Sequence, residues 1–276
     1  MLGLLICFAL VGCGRADDAS RPVAIPARLD AEPSIVSLSP LATRFVVAIG
    51  AGRQLVGVDP ASGDLPAPDL AALPRVGLAG AVVLEPDLVL APPALAGSEP
   101  ERVDLVVRGA EFFEFSPHDL EDVFALCRGL GARLVGEEGA RRFESAISRP
   151  LAEIGGSSYG RPRPRVLAVV GLDPLELAGG HSFETDLIEI AGGQSVTHGG
   201  DETRLPVGPD PWAQFDPDVL LVMLPHEPPP EALRDAFGDV PHDVALRFFQ
   251  VEAETFWLEP DQASAHRLRA LIGSFE

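Results

Sequence analysis

One short pattern occurs twice in this chain and constrains its fold more than any other feature. Residues 82–93 read VVLEPDLVLAPP, and residues 213–225 read AQFDPDVLLVMLP. In each copy a Pro-Asp pair ends one element and precedes a run of branched apolar residues, which predicts a strand buried on both faces. Because proline lacks an N–H donor and disfavours a helical residue before it, Glu85-Pro86 and Asp216-Pro217 predict turns that lead into these strands.

The residues that surround each copy also follow one plan. Its order is strand, helix, glycine stop, strand, Pro-Asp turn and strand. Since the repeat is longer than those of solenoid proteins, the sequence predicts an α/β protein of two similar lobes with central, mostly parallel sheets. The predicted strand, helix and strand span 34–40, 43–49 and 54–58 in the first lobe, and 165–174, 182–190 and 194–196 in the second.

A long helical pattern lies between the two repeats. Residues 137–154 carry apolar side chains at helical spacing and predict one long rigid helix that joins the lobes, with the ligand cleft between them. Pro150 is expected to kink or split this helix near Arg149. A shorter helix is predicted from Ser116 and Pro117 to about Gly129. The predicted organisation is an N-terminal lobe at 34–135, an interlobe helix at 136–160 and a C-terminal lobe at 161–276.

The first residues have the character of a bacterial lipoprotein signal. Residues 1–11 are almost wholly apolar, too short to span a bilayer and of the length of a signal-peptide core, although a positively charged start is absent. Gly12 precedes Cys13, so we expect a signal peptide at 1–12, lipidation of Cys13 and a flexible tether at 13–33. A buried N-terminal strand is the alternative. The lipoprotein interpretation predicts an exported, membrane-anchored protein that faces the periplasm or the cell exterior.

Charge and motif content exclude several function classes. The formal net charge of −20 argues against nucleic-acid binding. Removal of Cys7 and lipidation of Cys13 would leave only Cys127, so no intramolecular disulfide is expected, and the apolar neighbours of Cys127 predict a core position. No nucleophile elbow, phosphate-cradling loop or paired metal motif is present. We therefore expect no enzyme, catalytic residue, cofactor or metal site, and the scattered histidines could meet around a metal only through tertiary proximity.

An ordered series of motifs gives a family resemblance. IVSLSPLAT, AIGAGRQLVGV, LPRVG and LEPDLVL in the first repeat, and AGGHSFETDLIEIAGGQSV and FDPDVLLV in the second, resemble the helical-backbone (class III) periplasmic binding proteins. These serve ABC importers of cobalamin, haem and iron-siderophores. The resemblance covers residue 34 to the C-terminus. It implies a monomeric receptor that binds a chelated-metal or tetrapyrrole-like ligand between its lobes, closes slightly and delivers the ligand to an ABC permease.

The resemblance also implies where a permease would dock. In this family a glutamate on each lobe usually pairs with permease arginines through charge-assisted hydrogen bonds. The C-lobe position falls on Asp210, whereas the N-lobe position falls on Ala79, which has no charge. Arg44 also stands where the family commonly has a glutamate. These departures motivate an alternative: a degenerate member of the fold that delivers no ligand and binds another envelope protein.

Loops that follow parallel strands are expected to face the ligand. Trp212 and Trp257 are the first candidates, because large planar ligands are held mainly by aromatic burial. Haem would need an axial ligand such as His181 or His226. An anionic ferric siderophore would need an arginine cluster, for which Arg44, Arg75 and Arg204 are available, and the prolines after LVLA disfavour cobalamin. The full set of expected ligand contacts is Pro40, Leu41, Asp59, Pro92, Pro174, His181, Trp212, His226 and Trp257.

Overall fold

Four short parallel strands form the first sheet. They are β1 (Ile35–Ser37), β2 (Leu55–Val58), β3 (Leu88–Ala91) and β4 (Glu111–Glu114), in the order β2-β1-β3-β4. Helices α1 (Pro40–Ala48), α2 (Leu78–Leu84) and α3 (Pro100–Val107) surround this sheet. In β3, Leu88 and Leu90 join one apolar cluster with α1, while Val89 and Ala91 join a second with α2 and α3. The continuous apolar run is therefore buried on both faces, as the sequence predicts.

The second sheet repeats this order and adds a hairpin. Its strands are β5 (Arg165–Leu172), β6 (Leu175–Ala178), β7 (Gln194–Ser195), β8 (Arg204–Pro206), β9 (Val219–Leu224) and β10 (Ala245–Gln250). The parallel order β7-β5-β9-β10 matches β2-β1-β3-β4 strand for strand, and β6 and β8 extend the sheet in antiparallel fashion. Helices α6 (Phe183–Ala191), α7 (Pro230–Phe237) and α8 (Gln262–Ile272) belong to this half. The predicted two-lobe α/β fold is confirmed.

The two Pro-Asp turns have the same backbone. Glu85 and Asp216, each directly before the proline, have φ angles of 46° and 45°, and both are left-handed. Non-glycine residues seldom take this conformation, so its occurrence at matching positions shows that the two turns have the same structure. Each turn ends the preceding segment sharply and sends the chain into β3 or β9.

In chain order, helices α4 (Leu120–Leu126) and α5 (Ala132–Gly156) come after the first sheet and before the second. A π-helical segment, Cys127–Gly131, joins them. Helix α5 packs on α6 and α8. The predicted split at Pro150 is wrong, because the backbone there is helical, and the non-helical residue is Gly136, with φ of 74° and ψ of 160°. A missing N–H at Pro150 costs one helical hydrogen bond, whereas a left-handed glycine redirects the chain.

The start predicted for the shorter helix at Ser116 and Pro117 is also wrong. Helix α4 begins at Leu120, and Asp119 is its N-cap, whose carboxylate accepts a hydrogen bond of 2.8 Å from the N–H of Asp122. An aspartate cap satisfies a free helical N–H as well as serine does, and it lies closer to the first apolar turn. Cys127 is fully buried, as predicted, and burial raises the pKa of its thiol to about 11.

The computed structural model describes residues 32–64, 68–95, 100–207, 214–251 and 262–272, which belong to one compact unit. The predicted signal peptide and most of the tether, with Cys13, lie outside these residues, as do Asp210, Trp212 and Trp257. The residue limits predicted for the lobes stay predictions. Within the described ranges, no helix has both the length and the apolar character needed to cross a membrane.

Candidate functional site

Four expected ligand contacts lie at one edge of the first sheet. Pro40 and Leu41 follow β1, Asp59 follows β2, and Pro92 follows β3. Because all these strands are parallel, their carboxyl ends meet at the same edge, which is where open α/β sheets bind ligands. Pro40, Leu41 and Pro92 are half-buried there. The structure thus brings these residues to one side of the N-terminal lobe.

Asp59 differs from the other three because its carboxylate is engaged within the lobe. It is 8% exposed, and its Oδ1 accepts hydrogen bonds from the N–H groups of Ala61 and Ser62 at 2.9 and 3.2 Å. The hydroxyl of Ser62 donates to Asp59 Oδ2 and also bonds Thr43 at 2.9 Å, and Thr43 in turn bonds Ser37 at 2.9 Å. This buried network fixes the loops after β1 and β2, so Asp59 orients the edge and presents little carboxylate surface to a ligand.

The described candidates of the C-terminal lobe lie on three loops. Pro174 is exposed at the turn between β5 and β6, His226 is exposed after β9, and His181 is half-buried in the loop between β6 and α6. Pro174 and His226 are thus open to solvent, whereas His181 has close neighbours.

His181, in the loop before α6, meets two aspartates at the start of helix α4: the N-cap Asp119 and Asp122 of the first turn. Its Nε2 forms a 3.2 Å hydrogen bond with Asp122 Oδ2, and its Nδ1 lies 3.3 Å from Asp119 Oδ2. The ring of His118 lies 5.9 Å from that of His181, centroid to centroid. Sequence reasoning missed both aspartates as partners of His181, although acidic residues at positions 119 and 122 were a visible signal at the predicted helix start.

A second contact joins helix α4 to helix α6. Asp186 of α6 accepts a 2.8 Å hydrogen bond at Oδ2 from the backbone N–H of Leu120, the first residue of α4. The pKa of Asp186 is raised to about 6: burial is the largest cause and the charge of Asp119 adds to it, while the Leu120 hydrogen bond and two histidines lower it. An aspartate with a pKa near neutrality therefore lies where α6 contacts the start of α4.

The charge of His181 follows from its neighbours. Burial lowers the pKa of this imidazole, but the hydrogen bond with Asp122 and the charges of Asp119, Asp122 and Asp186 outweigh it, so the net pKa is raised. The ligating atoms of His181, Asp119 and Asp122 lie within 4.8 Å of one another. A single ion would have to replace both imidazole–carboxylate contacts and could use only one of the two ring nitrogens. The two carboxylates on either side of the ring favour its protonated form.

The three candidate arginines have different environments. Arg75 donates from Nη1 to the carbonyl of Leu70 at 3.0 Å, and Arg204 forms a two-point pair with Glu184 at 2.9 and 3.2 Å. The Nε of Arg44 is buried and has no hydrogen-bond partner among the residues described. Because unpaired buried donors are rare, Arg44 is the arginine of this set that is available to an anionic group.

A cavity of about 360 Å³ lies between strand β4 and helix α4. Apolar side chains of both elements line it, together with acidic groups and Arg133, and Asp122 contributes to both this cavity and the His181 cluster. The cavity is thus next to the His181 cluster. Its other lining residues are Glu111, Phe113, Glu114, Ser116, Pro117, Ala125, Leu126, Gly129 and Leu130.

Comparison with known proteins agrees with this architecture. The vitamin B12-binding protein of Yersinia pestis (strain Pestoides F) is 24% identical over 199 residues, which are 69% of this chain and 66% of that protein, just under two thirds of its length. An ABC transporter substrate-binding protein from Listeria monocytogenes EGD-e matches with a TM-score of 0.67 at 18% identity, covering 88% of this chain and all of that one. Staphylococcus aureus IsdE, solved with haem, has the same TM-score and identity and covers 88% and 99%. No protein-family model matches the chain.

These likenesses define the class of protein at the level of the fold. The chain has the two-lobe α/β fold of the class III periplasmic binding proteins, and the resemblance found in the sequence is confirmed. The proteins that it resembles are named for what they bind and not for a reaction.

Proposed function

We propose that this chain is the solute-binding component of an ABC importer and binds a chelated-metal or tetrapyrrole-like ligand between its lobes. The observation that carries the proposal is the fold, which matches an ABC substrate-binding protein over 88% of this chain and the whole of the other. Two similar lobes with parallel strands suit a ligand held at the facing loops, because such sheets bind ligands at the carboxyl ends of their strands.

The ligand class follows from the relatives and from Arg44. The named relatives bind vitamin B12 and haem, which are both large metal-containing macrocycles. The buried Nε of Arg44 lies on α1, just after the ligand-facing edge of β1, and it favours a ligand with an anionic group. His226 is exposed and suits axial coordination of haem, whereas His181 would have to leave its two aspartates first. The remaining proposed contacts are Pro40, Leu41, Asp59, Pro92, Pro174, Trp212 and Trp257.

Export and anchoring belong to the same proposal. A lipid on Cys13 would hold the receptor at the membrane, with residues 13–33 as a tether, and would keep it near a permease. We place this protein in the periplasm or at the cell exterior, as a monomer, with Asp210 as the C-lobe docking acid.

A second candidate function is favoured by the surface at Ala79. This residue is exposed on α2, and Val83, one turn further on, is 80% exposed, so the expected acidic docking position carries an apolar surface. A degenerate member of the fold that binds another envelope protein would show this change. Such a protein would lack a saturable small ligand.

Thermal unfolding of the full-length protein in detergent distinguishes the two. Haem, cobalamins and ferric siderophores would be added separately, because a ligand at about a hundred times its dissociation constant stabilises the folded state by roughly 2.7 kcal/mol. A saturable rise in the unfolding temperature with one class supports the receptor and identifies its ligand. If no class shifts the transition, the receptor proposal is wrong and the interaction protein takes its place.

A further inference from the structure

The starts of helices α4 and α6 face each other at the His181 cluster. Asp119 is the N-cap of α4 and Asp122 lies in its first turn; α4 follows the first sheet, and His181 lies just before α6, which belongs to the second. The imidazole is placed between the two carboxylates, 3.3 Å from Asp119 and 3.2 Å from Asp122. The contact therefore depends on the distance between the start of α4 and the loop before α6.

Each imidazole nitrogen of His181 faces a carboxylate oxygen, an arrangement that favours a proton on both nitrogens. A neutral imidazole has one N–H donor and one lone pair, and an ionised carboxylate is only an acceptor. A lone pair placed 3.3 Å from a carboxylate oxygen would be repelled, so the arrangement is attractive on both sides only for the cation. The contact is thus formed by an imidazolium and weakens when His181 loses a proton.

Each half of the contact is held in position within its own lobe. Asp119 caps Asp122 with a 2.8 Å hydrogen bond, and Asp122 Oδ2 accepts one of 2.8 Å from the N–H of His118. The backbone N–H of His181 donates to the carbonyl of Glu202 at 3.1 Å. Each half thus has contacts of its own, and the ion pair adds to the Asp186–Leu120 hydrogen bond in holding the two halves together.

We propose that protonated His181 is a latch between the lobes, so that proton binding and the closed spacing of the two lobes favour each other. The reciprocity is thermodynamic: if closure raises proton affinity, proton binding must favour closure to the same extent. This inference goes beyond the proposed function, because it needs no ligand and would hold for either candidate.

The groups that face His181 set the pH range. They are His118 from the preceding loop, Asp119 and Asp122 from α4, and Asp186 from α6, so three acids and one histidine surround the ring. The pKa of His181 is raised overall. A raised histidine pKa stabilises the linked form fully below its ordinary value of about 6.5, and the contribution is lost as pH rises through the higher folded-state value.

Amide hydrogen exchange in the full-length protein tests the latch. Wild type is compared at each pH with His181→Gln, which retains polarity but no charge, and with the matched control His242→Gln, an exposed histidine in the C-terminal half. At about pH 5.5 the His181 variant should exchange about two- to fivefold faster in residues 116–126 and in 179–190, as expected for loss of a partly exposed ion pair. At about pH 8.5 the ratio should approach one, and the control should stay at one throughout.

Three results would overturn the proposal. One is faster exchange confined to 179–190, which would mean that His181 does not hold α4. Another is a ratio of exchange rates between His181→Gln and wild type that does not change with pH, which would show that His181 acts through packing and not through its charge. The third is a rise in unfolding temperature with added Zn²⁺ that wild type shows and His181→Gln lacks, which would make the cluster a metal site. Asp122→Asn provides a second variant, and NMR titration should show that it lowers the pKa of His181.

Discussion

Arg165 and Asp218 are joined by a reciprocal pair of hydrogen bonds. The N–H of Asp218 donates to the carbonyl of Arg165 at 2.9 Å, and Asp218 Oδ2 accepts from the N–H of Arg165 at 2.7 Å. Ser34 and Asp87 form the same pair in the first lobe, at 3.0 and 2.9 Å, also 53 residues apart. The aspartate of each Pro-Asp repeat therefore fixes the start of its own strand to the start of the lobe's first strand.

This pair gives a stability prediction. Asp218→Ala removes the carboxylate acceptor and leaves the N–H of Arg165 to water, so the free energy of unfolding should fall by about 1 kcal/mol. Asp218→Asn retains an acceptor oxygen and should lose less. Urea unfolding of the two variants and wild type measures the difference. Equal losses for both variants would show that the charge matters and not the hydrogen bond.

The two-lobe fold was predictable because the patterns that specify its strands and helices are local in the sequence and occur twice. Branched apolar runs after Pro86 and Pro217 predict buried strands, and the repetition of strand, helix and glycine stop predicts two lobes. Pro150 was misleading, because the backbone of α5 is helical there. The long helical pattern begins at residue 137, and the non-helical Gly136 lies directly before it, although a single glycine does not by itself reveal such a backbone.

The loop that carries His181 depends on Gly180. A Cβ atom at Gly180 would lie 2.1 Å from the carbonyl oxygen of Gly200, and backbone cannot yield as a side chain can. Gly180→Ala should therefore lower the free energy of unfolding by about 2–3 kcal/mol. Gly199→Ala is the matched control, because nothing lies within 4 Å of its Cβ position.

Urea unfolding gives the cost of each glycine variant, and NMR titration of His181 shows whether the loop has moved. We expect Gly180→Ala to lower the pKa of His181 and Gly199→Ala to leave it unchanged. A Gly180 variant as stable as wild type would show that the 199–203 segment gives way easily.

The candidate site was less predictable than the fold. Strand ends identified Pro40, Leu41 and Pro92, because parallel strands bring their carboxyl ends to one edge. The link between His181 and Asp122 joins residues 59 positions apart, one just before α6 and the other in the first turn of α4. Sequence spacing has no information about such a contact, and only the packing of α4 against α6 creates it.

Asp186 gives a prediction about pH. Its folded pKa of about 6 lies above the ordinary value of 3.8, so the folded state binds more protons than the unfolded state between these values. The contribution of Asp186 is most favourable below about pH 4 and is lost as pH rises through 6. Asp186→Asn, which retains an acceptor for Leu120, should therefore exceed wild type in unfolding free energy by about 1–2 kcal/mol at about pH 7.5 and match it near pH 4.

Denaturant unfolding across this pH range measures the Asp186 effect. The same comparison in a His181→Gln background separates it from the histidine, which titrates in a neighbouring range. If the advantage of Asp186→Asn is constant with pH, the aspartate does not titrate near neutrality.

Arg44 offers a test of the ligand class. Its buried Nε lacks a hydrogen-bond partner among the described residues, and a charge-assisted hydrogen bond to a ligand carboxylate would satisfy it. Arg44→Gln should weaken binding of an anionic ferric siderophore or haem by about 10- to 100-fold, since such bonds contribute about 1.5–3 kcal/mol. Arg141→Gln is the control, because Arg141 pairs with Glu137 on the exposed face of α5. Isothermal titration with each ligand gives the affinities. An unchanged affinity in Arg44→Gln, with binding intact in wild type, would remove Arg44 from the site and leave the aromatic and proline contacts to select the ligand.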